Sequence, residues 1–157
     1  MAHPNEELIQ GFYEAFARLD GDSMAACYAP EASFSDPVFT DLHGGQPGAM
    51  WRMLCTRASD LKITLVEYDA GEQKGSAHWL ADYTFRTGRK VHNDIHAAFH
   101  FQDRLISEHR DSFSFHAWAR QALGPVGLLL GWTPILKAKV AGEARSGLDQ
   151  FIAQSGT

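Results

Sequence analysis

Residues 91–115 alternate so regularly that a long two-stranded hairpin is the structure they predict. Ile95, Ala97, Phe99 and Phe101 interleave with His92, Asp94, His96 and His100. Successive strand side chains point to opposite faces, so the aromatics take one face and the histidines the other. The second strand sets Leu105, His109, Asp111, Phe113 and Phe115 on one parity, against Glu108, Arg110, Ser112 and Ser114. An imidazole and a carboxylate therefore enter an aromatic face. A carboxylate there must be paired, protonated or solvated. His109 supplies a partner, since alternate Cα atoms on one strand lie roughly 6.5 Å apart. Two readings follow: a satisfied core pair that fixes the sheet, or an acid and a base that bracket one substrate atom.

The flanking segments fit around this hairpin. Leu8, Phe12, Phe16 and Leu19 recur at helical spacing behind Asn5, a predicted N-cap with Glu6 and Glu7 in the first turn. A short helix over 22–28 follows, stopped by Pro30. Residues 31–39 read as extended, with Phe34 and Asp36 on one parity, and Pro37 requires an edge or a break. A third helix begins near Pro47 and buries Met50, Trp51, Leu54, Cys55 and Ala58. Strands are predicted over 61–69, with Leu61, Ile63 and Leu65 on one face, and over 77–86, with Trp79, Ala81, Tyr83 and Phe85 on one face. A helix over 116–123 follows the hairpin. Residues 124–157 read as a glycine-rich apolar loop, then an amphipathic helix carrying Ile135, Leu136, Val140, Ala144, Leu148 and Phe151.

Helices followed by antiparallel strands make an α+β fold. The predicted architecture is a cone-shaped, strongly bent antiparallel or mixed sheet. The N-terminal helices cross its concave face, and a C-terminal helical extension follows. Residues 1–123 form the cone, and 124–157 pack on the same domain. A chain of 157 residues suits one domain with a real core. The formal charge of −5 argues against a nucleic-acid or anionic-membrane partner. Cys27 and Cys55 lack metal-ligand spacing and read as reduced thiols. The N-terminus shows no signal-peptide pattern, and the apolar run 126–130 is too short to span a bilayer, so a cytoplasmic location is the default.

The order helix, helix, "YAPEASFSDP", helix and four strands resembles the nuclear transport factor 2-like superfamily over roughly residues 6–118. "LISEHRDSFSF" over 105–115 looks like the closing strand of its SnoaL-like members. The superfamily includes ketosteroid isomerases, polyketide cyclases, limonene epoxide hydrolases and scytalone dehydratases. In the isomerases the matching Tyr-Ala-Asp-Asp-Ala-x-x-x-Asp-Pro stretch carries a general base, which the resemblance places at Asp36. The isomerases' oxyanion-hole residues are not carried over. Their tyrosine position falls on or beside Phe12, next to Tyr13, and their aspartate position near Ala97. An Arg-x-Asp strand pair of the epoxide hydrolase type is also missing.

These residues give an expected site. Asp36 is either a turn aspartate capping local backbone or a base at the cone mouth with its pKa raised by burial. Asp36, His109 and Asp111 form the expected catalytic set. Tyr83 and Asn93 share the inward parity and supply hydrogen bonds to a substrate, which Trp79, Phe99 and Phe113 surround. Tyr13 and Trp51 are assigned to the core. On the outer face, His78, Asp82, His92, Asp94, His96 and His100 face water or meet a second subunit, giving a homodimer through the sheet face. The spacing His92-x-Asp94-x-His96 permits a divalent metal without specifying one, and no metal or cofactor is expected. Leu128, Leu129, Leu130 and Trp132 either pack or gate the cone mouth, with Gly124, Gly127 and Gly131 as hinges. The expected function is cofactor-independent proton transfer of isomerase, cyclase or dehydratase type on a small apolar carbonyl or cyclic compound. The alternative is a non-catalytic small-molecule-binding or dimerisation module.

Overall fold

The computed structural model describes residues 3–155. Helices α1 (Pro4–Ala17) and α2 (Gly21–Ala25) lead into strand β1 (Tyr28–Ser35) and the two-residue strand β2 (Leu42–His43). Helix α3 (Gln46–Arg57) precedes four strands: β3 (Lys62–Ala70), β4 (Lys74–Thr84), β5 (Lys90–Gln102) and β6 (Leu105–Ser112). Helices α4 (Phe115–Leu123), α5 (Pro125–Leu130) and α6 (Pro134–Gln154) close the chain. The strands form one open mixed sheet in the order β2-β1-β6-β5-β4-β3, with β1 parallel to β6 and the other pairs antiparallel. This is the α+β cone that the periodicity predicts.

The inner face packs on α1 and α3. Ile9, Phe12, Tyr13 and Phe16 of α1 and Met50 and Trp51 of α3 bury against Phe34, Trp79, Ile95, Phe99 and Ile106. Helix α1 starts two residues, about half a turn, earlier than its sequence suggests. His3 is the N-cap, its Nδ1 accepting from the Asn5 backbone N–H at 3.0 Å, and Pro4 takes the first helical position without losing a bond. Asn5 is instead buried, and its amide donates to the Gly71 and Glu72 carbonyls at 2.9 and 3.1 Å. That ties α1 to the β3–β4 turn.

Helix α2 is shorter than 22–28. Asp20 caps it by accepting from the Ser23 N–H at 3.0 Å, and Tyr28 already belongs to β1. Strand β1 breaks at Ser35, before Asp36-Pro37, as the proline requires.

Along β5 buried and exposed residues alternate without exception. On β6 the predicted parity fails once. Phe101 pairs with Ile106 and His100 with Glu108, so Ser107 is an extra residue in a bulge. Ile106, rather than Leu105, enters the core, and beyond the bulge His109 and Asp111 face inward. The strand ends at Ser112. Ser114 accepts from the Ala117 N–H at 3.1 Å to start α4, so Phe113 lies in the link and Phe115 in the helix.

The C-terminal extension corrects three expectations. Residues 125–130 are helical, and Gly127 is the contact with α4, where a Cβ would overlap the Ala119 carbonyl. Pressing that glycine inward turns Leu128, Leu129, Leu130 and Trp132 outward; Trp132 is 73% exposed. They do not plug the cone. Ile135, at 84% exposure, is not part of the buried stripe of α6, which uses Leu148 with half-buried Leu136, Val140, Ala144 and Phe151. Cys27 and Cys55 are free thiols. Among the described residues, no helix is long and apolar enough to cross a membrane.

Val91, Phe115, Trp118, Ala119 and Ala122 form a second core cluster beneath α4. Val38, Tyr83 and Phe113 pack against both clusters, which makes them the seam between the cone interior and the C-terminal helices.

Candidate functional site

The two polar residues of β6 are held by a continuous hydrogen-bonded chain. The Trp51 indole N–H donates to the Tyr28 hydroxyl at 2.7 Å, which lies 2.7 Å from His109 Nδ1; His109 Nε2 lies 2.8 Å from Asp111 Oδ1. A carboxylate only accepts, so the arrangement that leaves no donor over has Nε2–H pointing to Asp111 and Tyr28 donating to Nδ1. Phe99 and Phe34 pack on the imidazole at centroid distances of 4.4 and 4.9 Å. The His109 side chain is fully buried and that of Asp111 is 3% exposed. Both ring nitrogens are therefore occupied, and protein atoms surround the ring.

Asp36 sits just beyond β1, in the same layer. Its Oδ1 accepts from the Val38 and Phe39 N–H groups at 2.7 and 2.6 Å, while its own N–H donates to the Phe39 carbonyl at 2.8 Å. This is the turn geometry expected of an aspartate before proline. It coexists with an unusual acidity. Burial pushes the carboxyl up to about 7; the charge of Asp111 adds to the rise, and the two N–H bonds oppose it. The residue as a whole is half-buried.

Three tyrosines surround these carboxylates. Tyr83, half-buried at the seam, accepts from the Trp118 indole at 2.8 Å; burial raises its pKa, the Trp118 bond opposes this, and the Asp36 charge adds to it. Burial likewise lifts Tyr13 well above its ordinary value, with Asp111 and Tyr28 adding to the rise. Tyr28 is raised mainly by burial, against the Trp51 bond. All three hydroxyls keep their protons at neutral pH and remain donors. The Tyr13 hydroxyl and the Trp79 indole N–H are buried without a hydrogen-bond partner among the described residues. A buried unpaired donor carries a desolvation cost of about 1–3 kcal/mol.

Asp36 is thus brought within electrostatic reach of both Asp111 and Tyr83. Trp79 and Phe99 are buried deeper, Asn93 is buried on β5, and Phe113 stands half-buried at the seam. Aromatic rings occupy the cone interior: Phe12 meets Tyr13, Tyr28, Trp51 and His109 edge-on, and Phe16 meets Trp51 and Trp79. Surface grooves of about 490 and 290 Å³ lie outside the cone, beside Arg89 and Arg120 and beside His3 and Arg104.

Tyr28, Tyr13 and Trp118 belong to this environment but not to the expected set. Tyr28 shares its even parity with Phe34 and Asp36, so its inward direction has a sequence signal once it is assigned to β1 and not to the preceding helix. Tyr13 and Trp118 look like ordinary helix-face aromatics, and only tertiary packing shows their polar ends.

Residues 9–109 match the family described as a SnoaL-like domain. No curated protein matches the sequence. Several solved structures share the fold. An LEH-like epoxide hydrolase of M. tuberculosis has a TM-score of 0.65 at 17% identity, over 81% of this chain and 96% of that one. A putative polyketide cyclase from Xanthomonas campestris has a TM-score of 0.64 at 20% identity, over 75% and 96%. An NTF2-like protein of unknown function from Burkholderia pseudomallei has a TM-score of 0.62 at 18% identity, over 71% and 91%. At such identities the likeness is one of fold.

Proposed function

The chain belongs to the SnoaL-like domain family within the nuclear transport factor 2-like superfamily, and on that premise we propose that it catalyses cofactor-independent proton transfer. The substrate class is a small, mostly apolar carbonyl or cyclic compound, and the reaction is of isomerase, cyclase or dehydratase type. One observation carries the reading: Asp36, a half-buried residue at the seam, has a carboxyl with a pKa near 7 that is fixed by two backbone N–H groups. A general base works best when its pKa lies near the working pH.

In the proposed step the Asp36 carboxylate takes a proton from the carbon beside the carbonyl. The C–H pair moves into the new C=C bond, and the carbonyl oxygen becomes an enolate. Tyr83, protonated and within the field of Asp36, donates to that oxygen. The proton on Asp36 then returns to a different carbon, or leaves with a departing group. His109 has no free ring nitrogen, so it acts as a positioning residue that fixes Asp111, and the Asp111 charge helps to keep Asp36 basic. Phe113 and Tyr83 flank the entry, while Trp79, Phe99 and Asn93 form the deeper wall.

Incubation with cyclic and β-dicarbonyl compounds in D₂O tests this, with C–H exchange followed by NMR. Exchange should rise with pH to a plateau above about 7 and fall about 100-fold in Asp36→Asn. The ring-filled interior favours a second reading, a non-catalytic binder of apolar small molecules. Absence of exchange across the panel, with ligands retained in native mass spectra, would establish that one instead.

A further inference from the structure

The outer face of the sheet holds a second convergence of polar groups, independent of the proposed proton-transfer site. His78 on β4 stands directly opposite His96 on β5. Their rings stack nearly parallel, 7° apart in plane and 4.3 Å between centroids. Asp94, two residues before His96 on the same face, reaches both: its Oδ1 lies 2.7 Å from His78 Nε2 and 3.6 Å from His96 Nε2. One ligand atom from each of the three lies within 4.8 Å of the other two.

We propose that His78, Asp94 and His96 bind a divalent transition-metal ion of the Zn²⁺ class. Zinc takes imidazole nitrogen and carboxylate oxygen at about 2.0–2.2 Å, so ligand atoms of a tetrahedral site stand roughly 3.3–3.4 Å apart. The two measured edges to Asp94 straddle that separation, and small side-chain rotations bring all three donors to it. The backbone fixes the arrangement. Opposed residues of an antiparallel pair project side by side on one face, and the residue two positions along completes a triangle. The donor set of two imidazoles and one carboxylate suits zinc and its neighbours in the late transition series, not Mg²⁺ or Ca²⁺, which take oxygen.

The set differs from the one the linear spacing suggests. His92 is engaged elsewhere, with its Nδ1 2.6 Å from Asp82 Oδ1, and the second imidazole comes from the neighbouring strand. Glu67 of β3 is the residue opposite His78 on its other side. It stands where a further carboxylate can approach the ion, and water fills whatever coordination remains. His78 is the most sheltered of the three ligands and Asp94 more than half exposed, so an ion from solution has direct access.

The test is titration of the untagged full-length protein with zinc chloride, followed by isothermal calorimetry and by the imidazole signals in NMR spectra. Saturable binding of one ion per chain is expected, with the shifts centred on His78 and His96. His96→Ala and Asp94→Asn should each weaken binding at least 10-fold, whereas His92→Ala should change it less than 2-fold. His78→Gln, which keeps a polar side chain at the most sheltered position, should also lose at least 10-fold with an unchanged circular dichroism spectrum. Three results would overturn the assignment: no saturable binding by the natural chain, binding retained in the His78→Gln/His96→Ala double variant, or equal weakening by His92→Ala, which would mean diffuse attraction to a histidine-rich surface.

Discussion

The sheet carries a histidine–aspartate pair on each face. His109 and Asp111 meet at 2.8 Å inside the cone, and His78 and Asp94 meet at 2.7 Å outside it. The contacts are nearly equal in length and unequal in consequence. The inner pair has given up water on every side, so each member depends on the other and on Tyr28. The outer pair keeps water as a second partner, so its members remain free to exchange one ligand for another. Burial rather than distance thus separates a fixed framework from a site that can accept something new.

The largest expected effect of breaking that contrast lies inside. His109→Ala leaves the Asp111 carboxylate without its hydrogen-bond donor in a dry environment, and stranding a buried charged group costs about 3 kcal/mol or more. Urea denaturation of the variant should show a loss of that size. A loss below about 1 kcal/mol would mean that water enters the cone. Tyr28→Phe should come next, at about 2–3 kcal/mol by the same measurement, because it strands two buried groups, His109 Nδ1 and the Trp51 N–H.

Asp36 stands between the two extremes, half-buried and only backbone-bonded, and its effect has the opposite sign. Its folded pKa, about 7, exceeds the ordinary 3.8. The folded state therefore holds a proton between about pH 4 and 7 that the unfolded chain has released. The stability this provides is fully present below about pH 4 and is lost as pH rises through 7. Asp36→Asn keeps a neutral acceptor and removes that loss. About three pH units correspond to about 4 kcal/mol in a sealed site. At a half-buried residue this falls to about 1–2 kcal/mol, seen as a relative gain of the variant in urea midpoints between pH 4.5 and pH 8.

How much of this was legible in the sequence depends on what kind of signal each feature leaves. Strict alternation through β5 identified its two faces, and parity alone placed His109 and Asp111 inside. The bulge at Ser107 left no such mark. One extra serine between Ile106 and Glu108 reads like any exposed strand residue, and only the partner strand shows that two residues oppose one. The cap at His3 has no sequence signal, because an imidazole is an uncommon N-cap and Asn5, two residues on, is a favoured one. The apolar run 126–130 showed its composition but not its direction, which follows from Gly127 lying against Ala119. In the candidate site, Asp36 was found through a resemblance. Its raised pKa comes mainly from burial, and the added push from Asp111, which is 75 residues away in sequence, arises only once β1 lies parallel to β6.

The smallest predicted effect is the sharpest check on the comparison. Asp94→Asn removes the charge from the outer pair without changing its shape, and water is at hand to solvate His78. Exposed ion pairs contribute about 0–1 kcal/mol. In metal-free buffer the variant should therefore unfold within about 1 kcal/mol of the natural chain, although its contact is as short as the one inside. The same substitution is expected to weaken zinc binding at least 10-fold, because a carboxylate binds the ion far better than an amide does. A large loss of metal-free stability would place Asp94 in the framework with Asp111. Near-neutral stability combined with lost zinc binding would show that the outer pair is kept for what it binds, not for the fold.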